Sequence, residues 1–337
     1  TFLAMPTFFN VDAIAEQLEA GQLVICSNQR LARRIEAAYG IYWQQQGRSV
    51  IIAPRVYALE GWIQSCWNQL MLRAHLKVLA DTVLTSDQEL LLWEQIISNS
   101  EVALLRPAAT ARQASAAYRT LHLWRQDLSD SKVRRFFIDD EDSATFLGWV
   151  EKFEQYCAEH AFIPAVKTAQ ILLDLYQSGE IENHESVLLV GFESISPLEE
   201  ALLRQVGSLE FHSTERKSAE INIIARDSER QEISTAALWA KQQLKNKPGQ
   251  TVAVVIPDLA QQRTRVQRIF QEVFEPEFSD PSTTRKSLPF NLSAGYPLIE
   301  APVIAAAVDA LSIYLAEIDV RLCQSILMSP FYALGSV

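Results

Sequence analysis

Glycine is scarce in this sequence, and its scarcity excludes two kinds of nucleotide site. Only 11 glycines occur among 337 residues, well below the usual frequency of ~7%. A phosphate-binding loop needs two glycines five positions apart, followed by Lys and Ser or Thr, and no pair of glycines here has that spacing. The dinucleotide fingerprint G-x-G-x-x-G is missing as well. We therefore expect neither a nucleotide-hydrolysing nor an NAD-dependent centre.

Cysteines and long apolar segments are also few. The cysteines fit neither a close-spaced zinc motif nor a dense disulfide framework, so we expect a reducing compartment, the cytoplasm. No run of about 18 uninterrupted apolar residues occurs, which argues against a membrane span. The N-terminal TFLAMPTFF lacks a basic leader, so a secretory signal is not expected. The four cysteines are Cys26, Cys66, Cys157 and Cys323.

The remaining composition is that of a globular protein with an acidic surface. The length of 337 residues gives room for two or three domains with real cores, and 48% hydrophobic and 21% charged residues are ordinary values for a globular protein. The chain has 41 acidic and 30 basic side chains, a formal charge of -11. Affinity for DNA comes largely from cations that displace counterions, so strong DNA binding by this chain alone is not expected.

Short apolar runs rich in valine and isoleucine recur along the chain. They do not alternate with polar residues, which is typical of strands covered on both faces of a parallel sheet. A helical pattern follows each run, so the sequence predicts an open α/β fold with right-handed crossovers. The predicted strands are 23–26, 50–52, 187–191, 221–225 and 252–256, and the helices that follow are 29–46, 58–80, 197–206, 228–245 and 259–274.

Between residues 85 and 180 the pattern changes to apolar residues at helical spacing, which predicts an all-helical insertion of about four or five helices. Thr85 or Ser86 and Ser143 are predicted N-caps. The predicted organisation is an α/β part at 1–84, the helical insertion at 85–180, a continued α/β part at 181–275 with strands near 187, 221 and 252, and a loop with the start of a further helical subdomain at 276–337.

Amide and cationic side chains cluster where the first predicted strand meets its helix, in SNQRLARR at 27–34. Ligands of open α/β sheets bind at the carboxyl ends of the strands, and helix N-termini favour anions. The second predicted strand leads into Pro54 and Arg55, which would lie close by if the two strands are neighbours. The alternative is that Asn28 only caps the helix and the arginines are solvated. The candidate phosphate contacts are Asn28, Gln29, Arg30, Arg33, Arg34 and Arg55.

Other polar clusters are explained better by structure than by chemistry. The acidic run 139–142 complements a helix N-terminus more readily than it binds a cation. Glu215 and Lys217 match the second half of a nuclease signature, but Pro257-Asp258, the match to its first half, lies downstream instead of upstream. The seven tryptophans have apolar partners at helical spacing, which predicts core packing for most of them. No catalytic, cofactor-binding or metal-binding residue is predicted.

Seven segments in a fixed order carry a family resemblance. They are LVICSNQRLARRI, IIAPRVYALEGWI, LLVGFESISPLEEALL, the helix around Glu232, VAVVIPDLAQQRTRVQRIF, PFNLSAGYPLIEAPVIAAAVDAL and ILMSPFY. In this order, which spans nearly the whole chain, they resemble the N-terminal region of the AddB-like family of helicase–nuclease subunits, in particular a bacterial branch of probable DNA repair proteins.

The resemblance implies a P-loop-NTPase-like, superfamily 1 helicase-like parallel sheet with a large helical insertion. It implies a non-catalytic scaffold that contacts DNA during repair and recombination of double-strand ends. The expected partners are single-stranded DNA or duplex ends, bound weakly by this chain alone, and a helicase–nuclease partner subunit. Family members carry a PD-(D/E)xK nuclease far downstream, so we expect this chain to be a fragment of an exodeoxyribonuclease. Mg²⁺ or an iron–sulfur cluster would belong to that nuclease domain and not to this chain.

The chain departs from active superfamily 1 motors at three positions. No phosphate loop precedes the first strand, Val190 stands where motors place a magnesium-binding aspartate, and Pro257 stands where they place an arginine. These departures remove the phosphate cradle, the metal ligand and the transition-state cation together. Strand contact could survive, and the resemblance assigns it to Asn28, Gln29, Arg30 and Arg55, and after them to Arg33 and Arg34.

Two alternatives remain open from the sequence. One is an active ATP-dependent helicase or exonuclease subunit with divergent motifs. The other is a protein-interaction module with a decayed nucleotide-binding fold.

We predict that the protein does not hydrolyse ATP, with or without single-stranded DNA, because its sequence lacks a phosphate loop. The measurement is ADP release in the presence of Mg²⁺, with a phosphate-loop helicase as the positive control. Turnover well above background would favour the active-helicase alternative.

Overall fold

The computed structural model describes residues 9–73, 81–102, 105–183, 186–212, 220–276, 288–295, 297–315 and 319–332. The chain divides into two compact units, 1–217 and 218–337. Glu215, Lys217 and residues 74–80 of the predicted helix 58–80 lie outside the described residues.

The first unit contains strands and helices, in chain order α1 (Ala15–Glu19), β1 (Leu23–Cys26), α2 (Gln29–Gln45), β2 (Val56–Ala58), α3 (Leu59–Arg73), β3 (Thr82–Val83), α4 (Ser86–Ser98), α5 (Pro107–Leu123), α6 (Ser131–Ile138), α7 (Glu141–Glu159), β4 (Phe162–Ile163), α8 (Lys167–Gln177), β5 (Ser186–Val190), α9 (Pro197–Val206) and β6 (Ser208–His212). The second unit contains α10 (Glu229–Asn246), α11 (Leu259–Phe274), a 3-10 helix (Leu298–Glu300), α12 (Pro302–Leu315) and α13 (Val320–Met328).

Four strands of the first unit form a parallel sheet in the order β2-β1-β5-β6. Val24 of β1 lies opposite Val56 of β2 on one side and Leu188 of β5 on the other. This sheet confirms the predicted α/β class. The prediction of helices also holds closely, since α9 and α11 begin and end at the predicted residues.

Helices cover both faces of the sheet, which explains why the strand sequences do not alternate with polar residues. Val24 and Cys26 pack with α1 and α2, where Ile35, Tyr39 and Trp43 are buried. The other two β1 residues, Leu23 and Ile25, point to the opposite face of the sheet, which α3, α8 and α9 cover. All four β1 residues are at most 1% exposed.

The helical insertion packs around an aromatic cluster of its own. Trp93 of α4 stacks on Phe153 of α7 with 4.3 Å between ring centroids, and Tyr118 of α5 meets the same phenylalanine edge-on at 5.3 Å. The short strand β3 precedes the helices that form this cluster and β4 follows them, and the two strands pair in parallel. The last helix within residues 85–180, α8, packs instead on the sheet. The aromatic cluster therefore spans less of the chain than the predicted 85–180.

Of the predicted helix N-caps, the one at Thr85 is confirmed and the one at Ser143 is wrong. Thr85 caps α4 in a reciprocal capping box with Gln88, as predicted. Ser143 is not the cap of α7, because Asp140 takes that position and accepts hydrogen bonds from the backbone N–H and the hydroxyl of Ser143. These hydrogen bonds lower the pKa of Asp140. The acidic run 139–142 therefore starts a helix, as expected.

Three predicted strands are wrong. The run 50–52 is irregular and Ile52 is 87% exposed, while the strand forms after Pro54, which lacks an N–H for the ladder. The runs 221–225 and 252–256 are irregular too, and Ile223 is 93% exposed. Neither run pairs with another described segment, and β propensity alone does not make a strand without a partner. The predicted α/β part 181–275 is thus divided between the two units.

The tryptophans follow the packing prediction for the most part. Five are buried, whereas Trp124 and Trp239 are 59% and 50% exposed. The buried ones are Trp43, Trp62, Trp67, Trp93 and Trp149.

A single carboxylate links three helices of the first unit. Glu154 on α7 accepts a hydrogen bond from the Tyr118 hydroxyl at 3.1 Å and lies 2.8 Å from the Lys167 ammonium of α8. His122 Nε2 of α5 is 3.8 Å away. The neighbouring His122 is the largest cause that lowers the pKa of Glu154, to about 2, and burial partly opposes it.

We predict that Glu154→Gln lowers the free energy of unfolding at neutral pH, because the variant loses the ion pair with Lys167. The loss should be only about 1 kcal/mol, because the side chain is partly exposed to solvent. The folded-state pKa of Glu154 is below its unfolded value, so its stabilisation is present above about pH 4.5 and disappears as pH falls towards 2. Urea denaturation of the parent and the variant between pH 7 and pH 2 is the measurement, with the exposed Glu159→Gln as control. A destabilisation by Glu154→Gln that stays constant over this range would contradict the prediction.

Candidate functional site at the carboxyl edge of the sheet

The carboxyl edge of the sheet has a topological switch point between β1 and β5. After β1 the chain crosses one face of the sheet as α2 and enters β2, which is the neighbour of β1 away from β5. After β5 the chain crosses the opposite face as α9 and enters β6, which is the neighbour of β5 away from β1. Open α/β sheets bind ligands outside the carboxyl ends of strands at such a reversal. The loops after Cys26 and Val190 border this crevice.

Gly191 lets the two loops approach each other. The Ser27 N–H donates to the Val190 carbonyl at 3.1 Å, which extends the pairing of β1 and β5 by one residue. Gly191 has φ +78°, a left-handed conformation that side chains disfavour. A Cβ at this position would lie 2.5 Å from Leu31 Cδ2 and 3.0 Å from Ser27 Oγ. The backbone conformation therefore favours glycine here, and an added Cβ would also have to displace the Leu31 and Ser27 side chains.

Asn28 is the N-cap of α2. Its Oδ1 accepts a hydrogen bond from the Leu31 N–H at 3.0 Å, and its Nδ2 donates to Ser27 Oγ at 3.2 Å. The cap uses a helix N–H that an anion could otherwise have bound. Gln29 lies beside the start of α3, because its Oε1 is 3.6 Å from the position that a Cβ on Gly61 would take.

Three predicted site residues share one exposed face of α2. Arg30, Arg33 and Arg34 are exposed, and helical spacing at i, i+3 and i+4 brings their side chains close together. The buried face of the same helix carries Ile35 and Tyr39. We refer to the three arginines as the α2 arginine cluster. It lies in the first two turns, next to the switch point.

Arg55 does not join this cluster. Its carbonyl accepts a hydrogen bond from the Val24 N–H at 2.9 Å, and it precedes β2, which runs parallel to β1. Arg55 therefore lies at the amino edge of the sheet, whereas Asn28 lies at the carboxyl edge. The expectation that Arg55 lies close to the first site is wrong, because β2 begins after Pro54-Arg55 and not before them.

At the amino edge Arg55 borders a cavity of about 280 Å³ between α3 and α8. Sequence reasoning missed this cavity. Trp62, Cys66 and Gln69 recur at helical spacing on α3, which could have marked one wall. The opposite wall comes from Tyr176, more than a hundred positions away, and no local pattern predicts that contact.

Three of the four cysteines, Cys26, Cys66 and Cys157, are poorly suited to nucleophilic chemistry. Burial raises the pKa of Cys26 to about 12 and those of Cys66 and Cys157 to about 11, so these thiols stay protonated at neutral pH. Within the described parts of the chain, no three His, Cys, Asp or Glu side chains are grouped so that they could hold a metal ion. The helices described by the structure include none long and apolar enough to cross a membrane.

Comparison with known proteins gives no identification. No protein-family model matches the chain, and no curated protein matches it in sequence.

We predict that Gly191→Ala destabilises the first unit by about 1 kcal/mol or more beyond the cost of its left-handed backbone, because the new methyl group contacts Leu31 and Ser27. Gly179→Ala is the matched control, since Gly179 has φ +77° and nothing within 4 Å of its added Cβ. The control should lose only roughly 1–2 kcal/mol. Urea denaturation measures both variants, and equal losses would show that the close approach at Gly191 costs nothing.

Proposed function

We propose that this chain is a non-catalytic, DNA-contacting scaffold with a superfamily 1 helicase-like, P-loop-NTPase-like α/β fold, and that it belongs to an AddB-like DNA repair nuclease. The observation that carries the proposal is the α2 arginine cluster beside the switch point of the sheet. Three exposed cations in two helical turns stand out in a chain of formal charge -11. Phosphate contacts of this kind position a strand without reading its sequence.

The arrangement supports contact with a strand more than nucleotide hydrolysis. The turn from β1 to α2 consists of Ser27 and Asn28 alone, and Asn28 Oδ1 occupies the Leu31 N–H. A phosphate loop instead leaves several backbone N–H groups free to wrap a triphosphate. Arginine side chains reach outward and can follow the backbone of a strand.

The acidic balance of the chain fits a scaffold that works in a complex. A partner subunit of a helicase–nuclease would supply the motor and further cations, and Mg²⁺ or an iron–sulfur cluster would belong to a nuclease domain elsewhere. The proposed substrates are single-stranded DNA and duplex ends, and the proposed compartment is the cytoplasm. The four cysteines support that compartment, since none of them forms a disulfide.

A second candidate, a protein-interaction module, is supported by the second unit. Several large apolar side chains of α12 and α13 are exposed, among them Leu311 at 61%, Val320 at 83% and Leu327 at 67%. Exposed apolar patches often mark protein interaction sites.

We predict that the protein binds single-stranded or tailed DNA weakly at low salt and that Arg30→Ala/Arg33→Ala/Arg34→Ala weakens this binding about 10- to 100-fold. If all three arginines contact phosphates, the slope of log K against log salt should become shallower by about 2. Fluorescence anisotropy of a labelled oligonucleotide over a series of salt concentrations measures both quantities.

The matched control is Arg106→Ala/Arg112→Ala/Arg135→Ala, which removes three exposed arginines from the helical insertion with the same change in charge. This control should leave the affinity nearly unchanged. Equal losses in both triple variants would indicate only a non-specific charge effect. No DNA binding by the parent protein, together with recovery of a nuclease or helicase subunit in a pull-down, would favour the interaction module.

A further inference from the structure

The cavity at the amino edge of the sheet has the features of a binding site separate from the α2 arginine cluster. Its walls come from the start of β2, from α3 and α8, and from the segment after α8. Three aromatic side chains border it, and Trp62 and Tyr176 among them are almost completely buried. Elements far apart in sequence thus hold the walls in fixed positions.

The inner wall is polar but uncharged. The Cys66 thiol and the Tyr176 hydroxyl both border the cavity, and burial raises the pKa of both groups. Both therefore stay neutral at physiological pH and can donate or accept hydrogen bonds. The amide of Gln69 also borders the cavity. Such a wall suits an uncharged ligand edge that carries donors as well as acceptors.

Charges of both signs lie at the edge of the cavity. The Arg55 guanidinium is close enough to lower the pKa values of both Cys66 and Tyr176, and it has five N–H donors to share between these neighbours and a ligand. Glu182 is exposed and also borders the cavity. A ligand that fits both residues must offer an anionic group to the arginine and a donor to the carboxylate.

We propose that this cavity binds one nucleotide, with the base against the partly exposed ring of Tyr57 and the phosphate at Arg55. Bases stack on aromatic side chains, and arginine binds phosphate through paired N–H groups. Glu182 would accept a hydrogen bond from an exocyclic amino group of the base, as carboxylates do with cytosine. A volume of about 280 Å³ lies just below the range of roughly 300–1,000 Å³ of ligand pockets, which limits the cavity to one small ligand.

The nucleotide can come from a DNA strand or from free mononucleotide, and the two sources share this chemistry. A strand source would deepen the proposed function by giving the DNA a second contact on the opposite edge of the sheet. Binding of a free mononucleotide does not depend on that function. The proposed DNA scaffold function and the proposed nucleotide site can therefore be disproved independently of each other.

The test is calorimetric titration of the protein with dCMP, dTMP and inorganic phosphate, and with a single-stranded oligonucleotide. We expect dCMP to bind at least several-fold more tightly than dTMP and phosphate to bind more weakly than either. Arg55→Ala should weaken dCMP binding about tenfold or more. Glu182→Gln should reduce the preference for dCMP over dTMP, because an amide is a weaker acceptor than a carboxylate.

Two matched variants of α3 show whether a loss of dCMP binding comes from a filled cavity or from a protein that fails to fold. Ser65→Trp places a large side chain in the cavity and should abolish dCMP binding, while Asn68→Ala, on the same helix but outside the cavity, should leave it unchanged. Circular dichroism spectra identify any variant that fails to fold, and Gln69→Ala then replaces it, with weaker dCMP binding expected.

The variant of the α2 arginine cluster should retain dCMP binding even if it loses DNA. Oligonucleotide binding that weakens in Arg55→Ala identifies the strand as the source, and dCMP binding without that effect identifies free mononucleotide. Absence of dCMP and oligonucleotide binding, or dCMP binding that persists in both Arg55→Ala and Ser65→Trp, would overturn the proposal.

Discussion

Burial of β1 on both faces is the constraint on which the rest of the first unit depends. Its four residues are at most 1% exposed and pair with β2 on one side and β5 on the other. Val24 and Cys26 face α1 and α2, while Leu23 and Ile25 face α3, α8 and α9. A central strand of this kind leaves its carboxyl end as the place where polar loops meet, which brings Ser27 beside Gly191.

Two different interactions hold the helical insertion, and one of them connects it to a helix that packs on the sheet. The parallel pair of β3 and β4 closes the ends of the insertion through backbone hydrogen bonds. The carboxylate of Glu154 then ties α5 and α7 to Lys167 at the start of α8, which itself packs on the sheet. The first interaction does not titrate, whereas the second depends on ionisation of a carboxylate. We therefore expect the contact of the insertion with α8 to weaken at low pH, where Glu154 becomes protonated.

The cationic side chains of the proposed sites lie at opposite edges of one sheet. The α2 arginine cluster is at the carboxyl edge, and Arg55 is at the amino edge beside an aromatic cavity. Exposed arginines on a helix suit a phosphate backbone, which carries charge but little shape. A cavity bordered by Arg55 and the partly exposed Tyr57 suits a single small ligand. The two surfaces thus differ in what they can recognise.

Local sequence by itself determined the α/β class, the extents of helices such as α9 and α11, and the caps at Asn28 and Thr85. These features depend on residues a few positions apart, whose spacing and capping groups are visible in the chain. Only the tertiary structure decided the strand order, the start of β2 after Arg55, the packing of α8 on the sheet and the cavity that Tyr176 completes. Each of these requires contacts between distant segments, such as Val24 with Val56 and Leu188, and no local pattern records which segment becomes the partner.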